Sequence, residues 1–138
     1  MPVSTLIHYS IVANVSNSGE TMTFWSAKAP GSYLLNGMTY DNGFIEVPIE
    51  GLYHIYAQTD YKINPSSWSG SAIQVNGKNV VVDGFSQFGN YVNSKANYIA
   101  VYVYLDKGDR ISVVARQKAL YHLFKGGNAF VGAVRQSG

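Results

Sequence analysis

Ile45-Glu46-Val47-Pro48-Ile49-Glu50-Gly51-Leu52-Tyr53-His54-Ile55-Tyr56-Ala57-Gln58 reads as an apolar strand, a Pro/Gly corner and a second strand. In the second strand Tyr53 and Ile55 share one face, and His54 and Tyr56 share the other. A half-exposed strand alternates apolar with polar residues, so a strand that is apolar or aromatic on both faces needs a cover on each. One cover is a second sheet. The other is expected to be a second subunit.

The pattern recurs downstream. Ile99, Val101, Val103 and Leu105 alternate with Tyr98, Ala100, Tyr102 and Tyr104, and Phe130, Gly132 and Val134 alternate with Val131 and Ala133. Three such strands would expose a larger apolar patch than soluble monomers usually tolerate. Each Tyr or Phe can bury on the order of 150–250 Å². His54, Tyr56, Tyr98, Tyr102, Phe130 and Val134 are therefore the expected residues of a self-association interface.

Nowhere does an apolar period of 3.6 residues persist for three turns, whereas β-branched and aromatic runs recur between turn signals. The punctuation comprises Asn17-Ser18-Gly19, Pro30-Gly31, Asn36-Gly37, Asn42-Gly43, Asn64-Pro65, Asn76-Gly77, Lys107-Gly108-Asp109 and Gly126-Gly127-Asn128. Between these signals strands are expected near 5–13, 22–27, 32–35, 44–49, 52–62, 71–75, 79–87, 97–105, 110–116 and 129–135. About ten short strands in one all-β domain imply a closed or two-sheet arrangement.

With 138 residues and 46% hydrophobic side chains, the chain has the size of one domain, 1–138, and can bury a core without metal or disulfide support. Charged residues make up only 13%, and the net charge of +2 comes from ten Lys and Arg scattered without a basic run. That distribution argues against nucleic-acid binding. The longest apolar stretch, Tyr98 to Leu105, is too short to span a bilayer. Met1 to Leu6 shows no secretory signal pattern. The absence of cysteine excludes disulfides and thiol chemistry. Asn14-Val15-Ser16 forms a glycosylation sequon, while Asn64-Pro65-Ser66 is blocked by its proline.

No catalytic constellation emerges, so neither an enzyme nor a cofactor is expected. The eight carboxylates sit mostly in or beside turns, and Asp106 and Asp109 flank a tight hairpin. His8, His54 and His122 lack metal-ligand spacing, so no metal site within one subunit is expected. On a shared axis, however, three copies of His54 would meet and could bind a metal or respond to pH. There is no Gly-x-Ser-x-Gly elbow and no phosphate-cradling loop. Lys107-Gly108-Asp109 resembles an adhesion tripeptide and reads as a hairpin turn. The expected partner surfaces are the loops Asn14–Thr21, Asn64–Gly70, Asn76–Asn79 and Leu120–Asn128. Trp68, Tyr121, His122 and Lys125 are the expected contacts, because loop aromatics are enriched in binding hot spots.

The opening stretch, together with Leu6-Ile7-His8-Tyr9, Tyr33-Leu34-Leu35-Asn36-Gly37, Leu105-Asp106-Lys107-Gly108-Asp109-Arg110-Ile111-Ser112-Val113 and Ala129-Phe130-Val131-Gly132-Ala133, resembles the tumour necrosis factor ligand family in order and over nearly the whole chain. Leu6–Tyr9 is similar to the family's first inner strand, and Tyr33–Leu35 to its short outer strand. Ile45, His54 and Val131 depart from the residues usual there, and the turn Asn76-Gly77-Lys78-Asn79 lacks the aromatic that several members carry.

The resemblance implies a two-sheet jelly roll assembling as a homotrimer, with His54, Tyr56, Tyr98 and Phe130 on interface positions. It implies an extracellular ligand, secreted or shed, that clusters a cell-surface receptor through grooves between subunits. The globular heads of the first complement component share the fold. The alternative is therefore a complement-head-like module binding carbohydrate or protein patterns, or a structural trimeric head.

Overall fold

The computed structural model describes residues 3–8, 12–15, 21–23, 25–26, 32–62, 68–86, 94–115, 119–122 and 130–137. They form thirteen strands: β1 (Val3–His8), β2 (Val12–Val15), β3 (Trp25–Ser26), β4 (Tyr33–Leu35), β5 (Thr39–Asp41), β6 (Phe44–Glu46), β7 (Gly51–Lys62), β8 (Trp68–Val75), β9 (Lys78–Ser86), β10 (Ser94–Leu105), β11 (Arg110–Ala115), β12 (Ala119–His122) and β13 (Phe130–Ser137). Among the described residues no helix is long and apolar enough to cross a membrane.

Three Asn-Gly pairs act as the sequence requires. Asn36, Asn42 and Asn76 have φ of 58°, 45° and 51°, and the glycine after each is also positive. Two consecutive positive φ values give a turn whose twist matches the flanking strands. Asn42-Gly43 closes the β5–β6 hairpin and Asn76-Gly77 the β8–β9 hairpin. Asn36-Gly37 instead carries the chain from one sheet to the other, with the Met38 amide donating to the Leu35 carbonyl at 3.3 Å.

The strands form an eight-stranded and a five-stranded antiparallel sheet. The path of the first is β2-β12-β7-β13-β1-β3, with β10 on the second edge of β7 and β4 on β1; the second runs β5-β6-β11-β8-β9. Between them lies the core, where Met22, Ile45, Tyr53, Ile55, Ile73, Leu105 and Ile111 are fully buried. Burying one such side chain contributes about 1.5–3 kcal/mol. Tyr53 satisfies its hydroxyl by donating to the Ile49 carbonyl at 2.6 Å, across the corner that Pro48 and Gly51 create.

Several sequence expectations need correction. The run expected over 5–13 is two strands, β1 and β2, which pair with β13 and β12 respectively. The short strands β5 and β12 were not anticipated, because Thr39–Asp41 lies between two turn signals and Ala119–His122 beside a glycine-rich stretch. Tyr33–Leu35, expected on the outer sheet, pairs with β1 in the eight-stranded sheet. The β8 strand begins at Trp68, where residue 71 was expected.

Candidate functional site

Antiparallel partners share a face, so the registers define rows across the eight-stranded sheet. One row runs Leu35, Val3, Val134, His54 and Tyr102, and the next runs Tyr33, Thr5, Gly132, Tyr56 and Ala100. A third places Ile7, Phe130, Gln58 and Tyr98 together. The alternate residues Tyr53, Ile55, Ala57, Val131 and Ala133 are all buried in the core. The two-faced pattern in the sequence therefore resolves into one core face and one outward face.

The outward face is a linked set of rings. Tyr102 stacks on His54 with centroids 4.6 Å apart and planes 24° apart, and His54 lies 5.5 Å from Tyr56. Tyr56 meets Phe130 edge-on at 6.1 Å, and Tyr98 lies 6.4 Å from Phe130. Gly132 makes this possible, because a Cβ there would collide with the Tyr56 ring. His54, Tyr56, Phe130 and Val134 are half-buried. Tyr98, Tyr102 and Tyr104, on the edge strand β10, are 52%, 61% and 56% exposed.

All six residues expected at the interface thus belong to one surface. Tyr33 and Leu35, also exposed, extend it to the opposite edge. These two and Tyr104 were not among the interface residues expected from the sequence, although the alternation of Tyr33 and Leu35 about the half-buried Leu34 carries the same signal.

The expected partner-binding residues fare differently. Trp68 opens β8 opposite Ser86, and Tyr121 and His122 lie in β12 opposite Ala13 and Val12, so strand ladders hold three residues that were expected in loops. Trp68 belongs to the five-stranded sheet, Tyr121 and His122 to the eight-stranded one. Lys125 and the Asn64-Pro65 and Gly126-Gly127-Asn128 turns lie outside the described residues.

At one end of the sandwich the β8–β9 and β10–β11 turns are clasped together. The Asn76 side-chain amide donates to Asp109 Oδ1 at 2.9 Å, its Oδ1 accepts from the Arg110 amide at 3.0 Å, and Asp109 Oδ2 accepts from the Asp106 amide at 2.8 Å. Asp109 is half-buried with both carboxylate oxygens engaged. The Lys107-Gly108-Asp109 tripeptide is therefore a structural turn, as its sequence suggested. Burial raises the phenol pKa of both Tyr53 and Tyr40. Among the described residues no three His, Cys, Asp or Glu side chains are grouped to hold a metal ion.

A two-sheet antiparallel sandwich with an aromatic outward face defines a jelly-roll module. The family model described as the TNF (Tumour Necrosis Factor) family matches residues 23–135, and the chain belongs to that family. Its members are cytokine ligands. No curated protein sequence matches the chain significantly. Among solved structures, Eiger TNF from S. frugiperda is similar with a TM-score of 0.77 at 15% identity, over 98% of this chain and 92% of that one. Murine APRIL, in crystals at pH 5.0 and pH 8.0, is similar with a TM-score of 0.73 at 19% and 18% identity, over 98% of each chain. At these identities the likeness shows the fold.

Proposed function

We propose that this protein is a cytokine-like ligand that assembles as a homotrimer outside the cell and clusters a cell-surface receptor. The observation carrying the proposal is the aromatic outward face, with three tyrosines more than half exposed along the edge strand β10. Soluble monomers rarely carry such a patch uncovered. An edge strand on one side and half-buried rings in the middle suit a head-to-face contact, in which β10 of one copy packs on the neighbour's sheet and three contacts close a ring. Membership of the cytokine family favours this reading over the complement-head alternative.

Receptor contact is assigned to the grooves between subunits, with Trp68, Tyr121, His122 and Lys125 as the contributing residues. Three identical grooves would give avidity, since each further receptor arm binds at high effective concentration.

Light scattering at micromolar protein in native buffer tests the assembly. A mass near three times 15.1 kDa is expected. A monomer would remove the physical basis of the proposal. With assembly established, Trp68→Ala and Tyr121→Ala should weaken binding to receptor-bearing cells and leave the mass unchanged.

A further inference from the structure

We infer that association through the aromatic face is controlled by the charge of His54, so that the assembled protein comes apart as the pH falls from 8 towards 5. The inference rests on the assembly proposed above and adds its regulation. His54 sits in the middle of the face, half-buried, stacked on Tyr102 and opposite Val134.

Among the described residues, the groups that face it from each packed element carry no countercharge. On β7 they are Leu52 and Tyr56; on β10 they are Ala100, Tyr102 and Tyr104; on β13 they are Gly132 and Val134, with Ser137 opposite Leu52 beyond a register shift. The only titratable groups in this set are the phenols of Tyr56, Tyr102 and Tyr104. Arg135 adjoins Val134 in sequence but falls on the opposite face, where its Nε donates to the Glu50 carbonyl at 2.9 Å. Asp60 and Lys62 share the outward register of β7 but lie six and eight residues along the strand from His54. At about 3.3 Å per residue that separation is about 20 Å or more.

Imidazole is the side chain whose charge ordinarily changes between pH 5 and 8. In a single subunit a protonated His54 keeps water on its open side and rests against the Tyr102 ring. When a second copy covers the face the water is lost, while the contact with Tyr102 is common to both states and cancels. A charge buried without a partner is costly, so the covered state favours neutral imidazole. The assembled protein then binds fewer protons than its separated subunits, and by linkage association weakens as pH falls. With one proton released per His54, the trimerisation constant should fall by up to about tenfold for each, or about a thousandfold per pH unit for three.

Sedimentation equilibrium of the full chain, from pH 8 down to the lowest pH at which far-ultraviolet circular dichroism still shows the folded subunit, tests this with wild type, His54→Phe and His54→Gln. Wild type should dissociate progressively, and both variants should hold a mass independent of pH. A wild-type trimer equally tight across the range would overturn the inference and leave the assembly proposal standing. So would a pH dependence that persists in both variants, since it would belong to another group. A wild type already monomeric at pH 8 would overturn the assembly proposal, and this inference with it.

Discussion

The Tyr56 ring occupies the space that a Cβ on Gly132 would need, and the two residues are direct cross-strand partners between β7 and β13. Glycine at this position lets the ring lie flat across the neighbouring strand and reach Phe130. Gly132→Ala should therefore displace Tyr56 and strain the sheet, lowering stability by about 1–3 kcal/mol. Chemical denaturation reads this directly. In a Tyr56→Ala background the same change should cost much less, and a double-mutant cycle should return a coupling above about 0.5 kcal/mol. Additive effects would mean that the ring swings away freely.

Asn76 joins two turns that lie 33 residues apart, through bonds to Asp109 and to the Arg110 amide. Its backbone also sits in the left-handed region, φ 51°, which asparagine tolerates and alanine does not. Asn76→Ala should destabilise by about 1–3 kcal/mol, combining two lost bonds with backbone strain. Asn76→Gly relieves the strain and loses the bonds, so it should fall between wild type and alanine in a thermal melt. Equal stability of all three would show that the clasp contributes nothing.

These two relationships mark where sequence legibility ends. The alternation of Tyr98 to Leu105 and the Tyr53/His54 parity were enough to sort core from outward face, because side-chain direction in a strand has a period of two. The Asn-Gly turns were legible for a similarly local reason. Register was not, since nothing local to His54 says that Tyr102 stands opposite it, and nothing near Asn76 points to Asp109. The loop expectation for Trp68, Tyr121 and His122 failed on the same ground. Punctuation at Asn64-Pro65 and Gly126-Gly127 suggested breaks, whereas partners distant in sequence, Ser86, Ala13 and Val12, hold these residues in ladders.

Tyr53 predicts alkaline behaviour. Burial, the largest cause, raises its phenol pKa, against the opposing pull of Arg135. An acid whose folded pKa is raised keeps its proton longer in the folded than in the unfolded state. The stability it contributes is present below the unfolded value, 10.0, and is lost as pH rises above it towards the folded value. Tyr40 adds to the same slope by the same burial effect. Urea midpoints measured from pH 8 upwards should be flat at first and fall beyond pH 10. Tyr53→Phe should cost about 0.5–1.5 kcal/mol at pH 8, from the lost hydroxyl bond, and show a shallower alkaline decline. An identical decline in the variant would assign it elsewhere.

Tyr98 separates folding from assembly. It is 52% exposed, faces outward from an edge strand, and has its ring centroid 6.4 Å from that of Phe130. Tyr98→Asp should leave the single subunit folded, because an exposed substitution away from the core usually changes stability by no more than about 0.5 kcal/mol. In the proposed trimer the same change would bury three carboxylates without partners near one axis, at about 3–5 kcal/mol for each uncompensated charge. The variant should therefore be monomeric by light scattering while keeping the wild-type far-ultraviolet circular dichroism spectrum. Tyr98→Phe retains the ring and removes only the hydroxyl, so it should assemble as wild type does. If Tyr98→Asp remains fully trimeric, the interface does not include the β10 edge, and the ring closure proposed for this face is wrong.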